Sequence, residues 1–311
     1  MSKTEKKIHP LLRRLADGEL IIGDGATGTY LQSHGLEPGG CPEELNDSKP
    51  DLVEQMAREY FSAGSDLVFT NTFGGSRFMQ KKYGYEDRVR EFNRLAVQHA
   101  RSQASEQSHV IGSVGPSGEF ISPLGEISYT QMVEAFEEQI SALKEGGADG
   151  VVIETMTALE EVKAAIEASK KVSDLIVMAT MTFDRGPRGF FTMMGITPER
   201  AVKELEAAGV DVVGSNCGNG IEGMIEISKE ICGVAEGFVM INSNAGIPTI
   251  QKGLIVYPET PEFMVEKYRI LADMGVNILG GCCGTTPQHI GALFQALKIE
   301  SGQAEIPRTP P

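Results

Sequence analysis

Positive charge is what this chain most conspicuously lacks. Across 311 residues it has 28 Lys and Arg against 43 Asp and Glu, a formal net charge of −15. No segment gathers its basic residues into a stripe that could follow a phosphate backbone, so nucleic acid is not an expected partner. Long apolar runs are missing too. Nothing approaches the length needed to cross a membrane, and the polar, lysine-bearing stretch Met1 to Pro10 is not followed by the apolar segment of a signal peptide. The expectation is a cytoplasmic protein with no membrane partner. Cysteine is sparse and odd in number: Cys41, Cys217, Cys232, Cys282 and Cys283. A chain of this size needs no disulfides for stability, so reduced thiols with metal or catalytic roles are favoured. Cys232, in an apolar helical stretch, reads as core.

What is present is a regular alternation. Short apolar, β-branched runs occur at Leu20–Gly23, Asp66–Thr70, Val110–Val114, Gly150–Glu154, Leu175–Thr180, Asp211–Ser215, Phe238–Ile241 and Val276–Gly280. Between them lie segments of helical period, at about 50–63, 86–104, 129–145, 158–172, 198–208, 220–233, 261–274 and 287–298. Gly followed by a polar residue recurs before strands, in Gly64-Ser65-Asp66, Gly147-Ala148-Asp149, Gly209-Val210-Asp211 and Gly275-Val276-Asn277. The glycine supplies a left-handed helix stop and the polar residue opens the strand. Thr197-Pro198, Thr260-Pro261 and Thr286-Pro287 mark helix starts. Eight βα units predict an α/β fold, a single (β/α)8 TIM barrel over residues 1–300 with a polar, proline-rich tail or linker at 301–311. The rival is an open doubly wound sheet. Gly23-Asp24-Gly25-Ala26-Thr27-Gly28, after the first strand, matches neither G-x-G-x-x-G nor a P-loop, which weighs against it.

In a barrel the active site lies at the C-terminal ends of the strands. Asp24, Thr70-Asn71-Thr72, Glu154, Thr182, Cys217, Asn244 and Cys282-Cys283 all fall there. Three thiolates reaching one barrel mouth can hold a zinc ion and leave its fourth position open. Read by spacing alone, the adjacent pair could equally be two small buried residues or a vicinal disulfide. The flanking Gly280-Gly281 and Gly284 would let the backbone turn so that both side chains face one point. Glu154 ends a buried run and needs a cation, water or a ligand at the mouth; a lysine or arginine partner and a ligand role both remain open. The loop from Asp24 to Thr29 can present several backbone N–H groups to a carboxylate, or be only a tight turn. His9, His34, His99 and His109 read as surface residues, and His289 as a capping or packing residue. The segment Phe183 to Ile196, with Phe190-Phe191 and Met193-Met194, is apolar for a loop and suits a lid, a docking surface or a cover for the rim.

Taken in order and spacing, Asp24-Gly25-Ala26-Thr27-Gly28-Thr29, Thr70-Asn71-Thr72-Phe73-Gly74, Gly115-Pro116, Glu154-Thr155, Asn216-Cys217, Asn244-Ala245-Gly246 and Gly280-Gly281-Cys282-Cys283-Gly284-Thr285-Thr286-Pro287 resemble the homocysteine S-methyltransferase family. The likeness runs from about residue 11 to 298 and is strongest to the homocysteine-binding module of cobalamin-dependent methionine synthase. It implies zinc on Cys217, Cys282 and Cys283, with Asn244 as a fourth ligand before substrate arrives. It also implies that Asp24 and Glu154 hold the ammonium of homocysteine, and that backbone N–H groups of Gly25, Ala26 and Thr27 hold its carboxylate. Two departures stand out. Ile241-Asn242-Ser243 precedes Asn244 where relatives often have proline or an acidic residue, and no Asp-x-His-x-x-Gly corrinoid signature or second barrel is present. The implied activity is methyl transfer to homocysteine to give methionine, from a methylcorrinoid on another domain or protein. The alternatives are a diffusible donor such as S-methylmethionine or a betaine and, in a different class, a zinc- or redox-sensing module in which Cys282 and Cys283 cycle to a disulfide.

Overall fold

The computed structural model describes residues 8–172, 175–251, 254–300 and 302. All eight expected strands form: β1 Ile21–Ile22, β2 Leu67–Phe69, β3 His109–Val114, β4 Gly150–Met156, β5 Ile176–Met181, β6 Val212–Asn216, β7 Phe238–Ser243 and β8 Ile278–Gly281. They pair in parallel in the order β1-β8-β7-β6-β5-β4-β3-β2. The remaining seam, between β1 and β2, is bridged rather than laddered. Asp66 N–H donates to Ile22 O at 2.7 Å, and higher up Phe69 N–H donates to the Asp24 carboxylate at 2.7 Å. The sheet thus closes on itself as a (β/α)8 barrel. The expected tail, Gly302 apart, lies outside the described residues.

The recurring Gly-x-Asp/Asn signature acquires a precise structural reason. Asp66, Asp149, Asp211 and Asn277 each donate a backbone N–H to a carbonyl of the preceding strand, on Ile22, Val110, Val177 and Val239. Each also accepts, through its side-chain oxygen, the N–H of that same residue at 2.8 Å. A two-bond clasp therefore ties β2 to β1, β4 to β3, β6 to β5 and β8 to β7 at the N-terminal end, where a strand's first donor would otherwise be unsatisfied.

Inside the barrel the side chains change character with height, because alternate residues of each strand point inward. At the bottom, Ile21, Leu67, Ile111, Val152, Ile176, Val212, Met240 and Ile278 pack together with Leu11 and Leu15 of the N-terminal helix Pro10–Ala16, which plugs the floor. Further up, the inward positions become polar: Ser113, Glu154 and Asn242 two residues beyond Ile111, Val152 and Met240, and Asn216 four residues beyond Val212. The larger apolar cluster fills the space between sheet and helices. Thr197 and Thr260 cap their helices, accepting from Arg200 and Phe263 N–H. His289 is confirmed as a capping residue: its Nδ1 accepts the Thr286 N–H at 3.2 Å while Nε2 faces the Glu259 carbonyl at 3.0 Å.

Some expectations fail. His109 is buried at the base of β3, its ring centroid 5.6 Å from that of His9, and is no surface residue. His99 is half-buried between Glu54 and the Asn46 carbonyl. The 183–196 loop contains an antiparallel hairpin, Asp184–Gly186 with Gly189–Phe191. Phe183 and Phe190 anchor it in the core while Met193 is exposed.

Candidate metal centre and amino-acid pocket

Cys217 follows β6 with φ 62°, and Gly218 follows it with φ 71°. A non-glycine residue in the left-handed region is held there at a cost of about 1–2 kcal/mol, and such strain gathers at working sites. The second described non-glycine residue of this kind is Thr155, φ 61°, immediately after Glu154. Across the mouth, the turn Cys282 to Thr285 is closed by Thr285 N–H on Cys282 O at 3.1 Å and by the Thr285 hydroxyl on the same carbonyl at 2.7 Å. A side chain at Gly281 would collide with Thr285, and one at Gly284, φ 82°, with the Tyr257 ring. Both glycines therefore shape the turn, as their position in the sequence suggests.

The result is that the Sγ atoms of Cys217, Cys282 and Cys283 all lie within 4.8 Å of one another. Cys282 and Cys283 share their protons with Cys217, pushing its thiol down to about 3, while their own are raised, Cys283 to about 11. Each sulfur also has a partner outside the trio. Asn244 and the Gly218 N–H reach Cys217, Asn216 Nδ2 stands 3.8 Å from Cys282, and the Tyr257 hydroxyl reaches Cys283. Asn244 is buried and its Oδ1 has no hydrogen-bond partner. Three soft sulfurs and one unsatisfied oxygen at a single point form a donor set suited to zinc.

Beside the sulfurs is a cavity of about 330 Å³, at the small end of the range for ligand pockets. Glu154 lines it, half-buried, its Oε1 accepting from Ser113 Oγ at 2.6 Å and its Oε2 from Asn216 Nδ2 at 3.1 Å. Burial first, and then the charge of Cys217, push its carboxyl up to about 7. The alternative of a lysine or arginine partner is not met: among the described residues no basic side chain pairs with Glu154, and its partners are the Ser113 and Thr155 hydroxyls and the Asn216 amide. Asp24 sits behind the cavity, buried. Its Oδ2 is engaged by the Phe69 N–H while Oδ1 is unpartnered. Burial raises its carboxyl well above the usual range, and the nearby Glu154 charge adds to this.

The loop at residues 25–27 is partly spent on structure. The Ala26 N–H donates to Thr285 Oγ1 at 3.1 Å and its carbonyl accepts from Tyr60. Gly25, Ala26, Thr27 and Gly28 all line the cavity, and Thr27 begins a helix whose first turn has no side-chain cap. The outer wall is formed by Phe73, Met79 and Tyr83. Sequence reasoning placed the cysteines, Asn244, Asp24, Glu154 and the 25–27 loop around this mouth, and the structure brings them together. It named Thr155 and Asn216 within motifs without giving them a role, and it missed Ser113 and Tyr257. The inward parity of Ser113 relative to Ile111 was a usable signal; for Tyr257 there was none.

Comparison with known proteins agrees with this geometry. Residues 21–297 match the family model described as homocysteine S-methyltransferase. The methionine synthase of Mycobacterium leprae is 34% identical over 318 residues, covering 96% of this chain and 26% of that protein. That of Mycobacterium tuberculosis is 34% identical over 298 residues, covering 89% and 24%. The chain thus spans about a quarter of the length of these curated relatives. Among solved structures, the metallated form of the Escherichia coli homocysteine methyltransferase MmuM superimposes with a TM-score of 0.77 at 21% identity, covering 91% of this chain and 98% of that one. Its oxidized form gives 0.75 at 22%, covering 92% and 99%. At such identities the likeness is one of fold. The family model covers nearly the whole barrel, and on that ground the chain belongs to the homocysteine S-methyltransferase family.

Proposed function

We propose that this chain methylates the sulfur of homocysteine, using one zinc ion held by Cys217, Cys282 and Cys283, with the methyl group delivered by a methylcorrinoid on another domain or protein. The observation that carries the reading is the cluster of three sulfurs, within 4.8 Å of one another, at the edge of a cavity lined by a half-buried carboxyl that no basic side chain neutralises. When bound, zinc supplies a Lewis acid that ionises a thiol with an ordinary pKa near 8.5 at neutral pH.

The chain's own residues supply the rest. Cys217, Cys282 and Cys283 bind the metal as thiolates, so their shared protons leave on metal binding. Glu154, with Asp24 behind it, presents negative charge with no basic partner, which suits an α-ammonium group. The amides of the 25–28 loop stand on the cavity wall where a carboxylate can be received. Homocysteine combines all three features: a thiol, an ammonium and a carboxylate. The apolar wall of Phe73, Met79 and Tyr83 shields the outer approach from water, which favours transfer of a methyl group to sulfur.

A corrinoid donor is favoured over a sulfonium or betaine because the 34%-identical relatives are methionine synthases several times longer than this chain. The sequence itself carries no Asp-x-His-x-x-Gly motif. The test is methionine formation by zinc-loaded protein with methylcobalamin or S-methylmethionine as sole donor, alongside metal analysis. The expected result is one zinc per chain and turnover with the corrinoid. Turnover with the sulfonium alone would favour the diffusible-donor alternative, and a protein that binds zinc but turns over neither would favour a sensing module.

A further inference from the structure

Asn216, the last residue of β6, is buried, and its one carboxamide meets five groups from three parts of the barrel. Oδ1 accepts the Thr155 N–H at 2.9 Å and the Thr180 hydroxyl at 2.7 Å. Nδ2 faces Thr155 Oγ1 at 2.8 Å, Glu154 Oε2 at 3.1 Å and Cys282 Sγ at 3.8 Å. The orientation is not arbitrary. A backbone N–H can only donate, so the oxygen must face Thr155; an ionised carboxylate can only accept, so the nitrogen must face Glu154. Both requirements give the same rotamer. The left-handed φ of Thr155 aims its N–H at Asn216, so the strained residue and the amide hold each other in place.

We propose that Asn216 is the positioning residue that joins the two halves of the site: through one pinned amide it fixes the Glu154 carboxylate in the pocket and donates to the Cys282 sulfur. The inference rests on the reading of Cys282 as a metal ligand and Glu154 as the ammonium site. A buried hydrogen bond to a charged acceptor is stronger than a neutral one, and an N–H aimed at a thiolate draws charge from the sulfur without displacing it. Ser113, on the other side of the carboxylate, touches Glu154 but is not among the partners found for the cysteines.

This contrast supplies the test. Asn216→Asp keeps the shape and both acceptor bonds but removes both donors. Thr180→Val leaves the amide chemically intact and unpins its oxygen. Ser113→Ala removes a bond to Glu154 that does not pass through Asn216. Three measurements are made on each protein and on Glu154→Gln: zinc affinity by chelator competition, the sulfur-to-cobalt charge-transfer band of cobalt-substituted protein, and homocysteine affinity by calorimetry. Asn216→Asp is expected to lose about tenfold or more in zinc affinity, to shift the cobalt band and to bind homocysteine more weakly. Thr180→Val should show the same three changes to a smaller degree, and it decides the matter if Asn216→Asp fails to fold. Ser113→Ala should weaken homocysteine alone. Zinc affinity within twofold of wild type and an unmoved cobalt band in both Asn216→Asp and Thr180→Val would overturn the proposal. Unchanged homocysteine binding in Glu154→Gln would overturn it differently, by removing the amino-acid pocket while leaving any effect on the metal visible.

Discussion

Glu154 and Asp24 show how much a residue's meaning depends on what it lacks. A carboxylate withdrawn from solvent normally has a basic partner, yet half-buried Glu154 has two hydroxyls and an amide, and buried Asp24 has one backbone N–H and an unpartnered oxygen. Removing the charge of Glu154 should therefore harm binding and spare the metal. Glu154→Gln is expected to keep zinc and to bind homocysteine more weakly by about 2–5 kcal/mol, the range for a buried charge pair that loses one member, as read by calorimetry on the zinc-loaded protein. Asp24→Asn answers a different question, because Oδ2 also takes the Phe69 N–H at the β1–β2 seam. The amide keeps an acceptor there, so its folding should be nearly normal while its homocysteine affinity falls. A loss of stability as large as that of Asp24→Ala would make the residue a seam pin only. The metal ligands are tested more bluntly: Cys217→Ala or Cys283→Ala should abolish stoichiometric zinc, and full retention in both would remove the centre.

At the scale of the element, the strands and main helices were legible because apolar runs, Gly stops and Thr-Pro starts all agree on the same boundaries. What was not legible lies where those signals turn silent. The expected sixth and seventh strands ended at Ser215 and Ile241, whereas β6 runs to Asn216 and β7 to Ser243. An apolar run stops where the barrel's inward face becomes polar, so the criterion that finds a strand also trims off its functional end. That is why Asn216, though named beside Cys217 in its motif, was given no role there. The short helices Thr27–Ser33, Leu45–Ser48 and Arg77–Lys81 were missed because pieces of four to seven residues carry too little periodicity. The Gly-x-Asp signature was visible, but its use as a clasp was not, since the partner is some 34 to 44 residues away. The clasp makes its own prediction. Asp149→Ala leaves the Val110 N–H without its acceptor and the Arg101 guanidinium with only the Gly147 carbonyl. It should cost about 1–3 kcal/mol in chemical denaturation. Asp149→Asn should cost less, since Asn277 performs the same clasp without a charge.

Over the whole molecule, the two ends of the barrel answer pH in opposite directions. At the bottom, Asp149 and Glu19 are held down to about 2, Asp149 by His109, Arg101 and the Val110 N–H against the effect of burial, Glu19 by Arg14 and Lys298. Each releases its proton more readily folded than unfolded, so its stabilisation is fully present above the ordinary carboxyl range near 4 and disappears as the pH falls towards 2. At the top, the folded pKa of Glu154 lies near 7, above its unfolded value of about 4.3. The folded state therefore holds this proton more tightly, and this group's contribution to the stability of metal-free protein falls as the pH rises from about 4.5 to 7, by a total on the order of 3 kcal/mol, with no further loss from it above that. Denaturation of metal-free wild type and Glu154→Gln across pH 4–8 separates the two ends. Both proteins should share the acid limb below pH 4. Above it the contributions of Asp24 and Cys217 are common to both proteins, and the wild type should lose ground to Glu154→Gln between pH 4.5 and 7. Parallel curves over the whole range would mean that Glu154 has a compensating partner, and the cost of burying an unpaired carboxyl, set aside for a cationic ligand, would not exist.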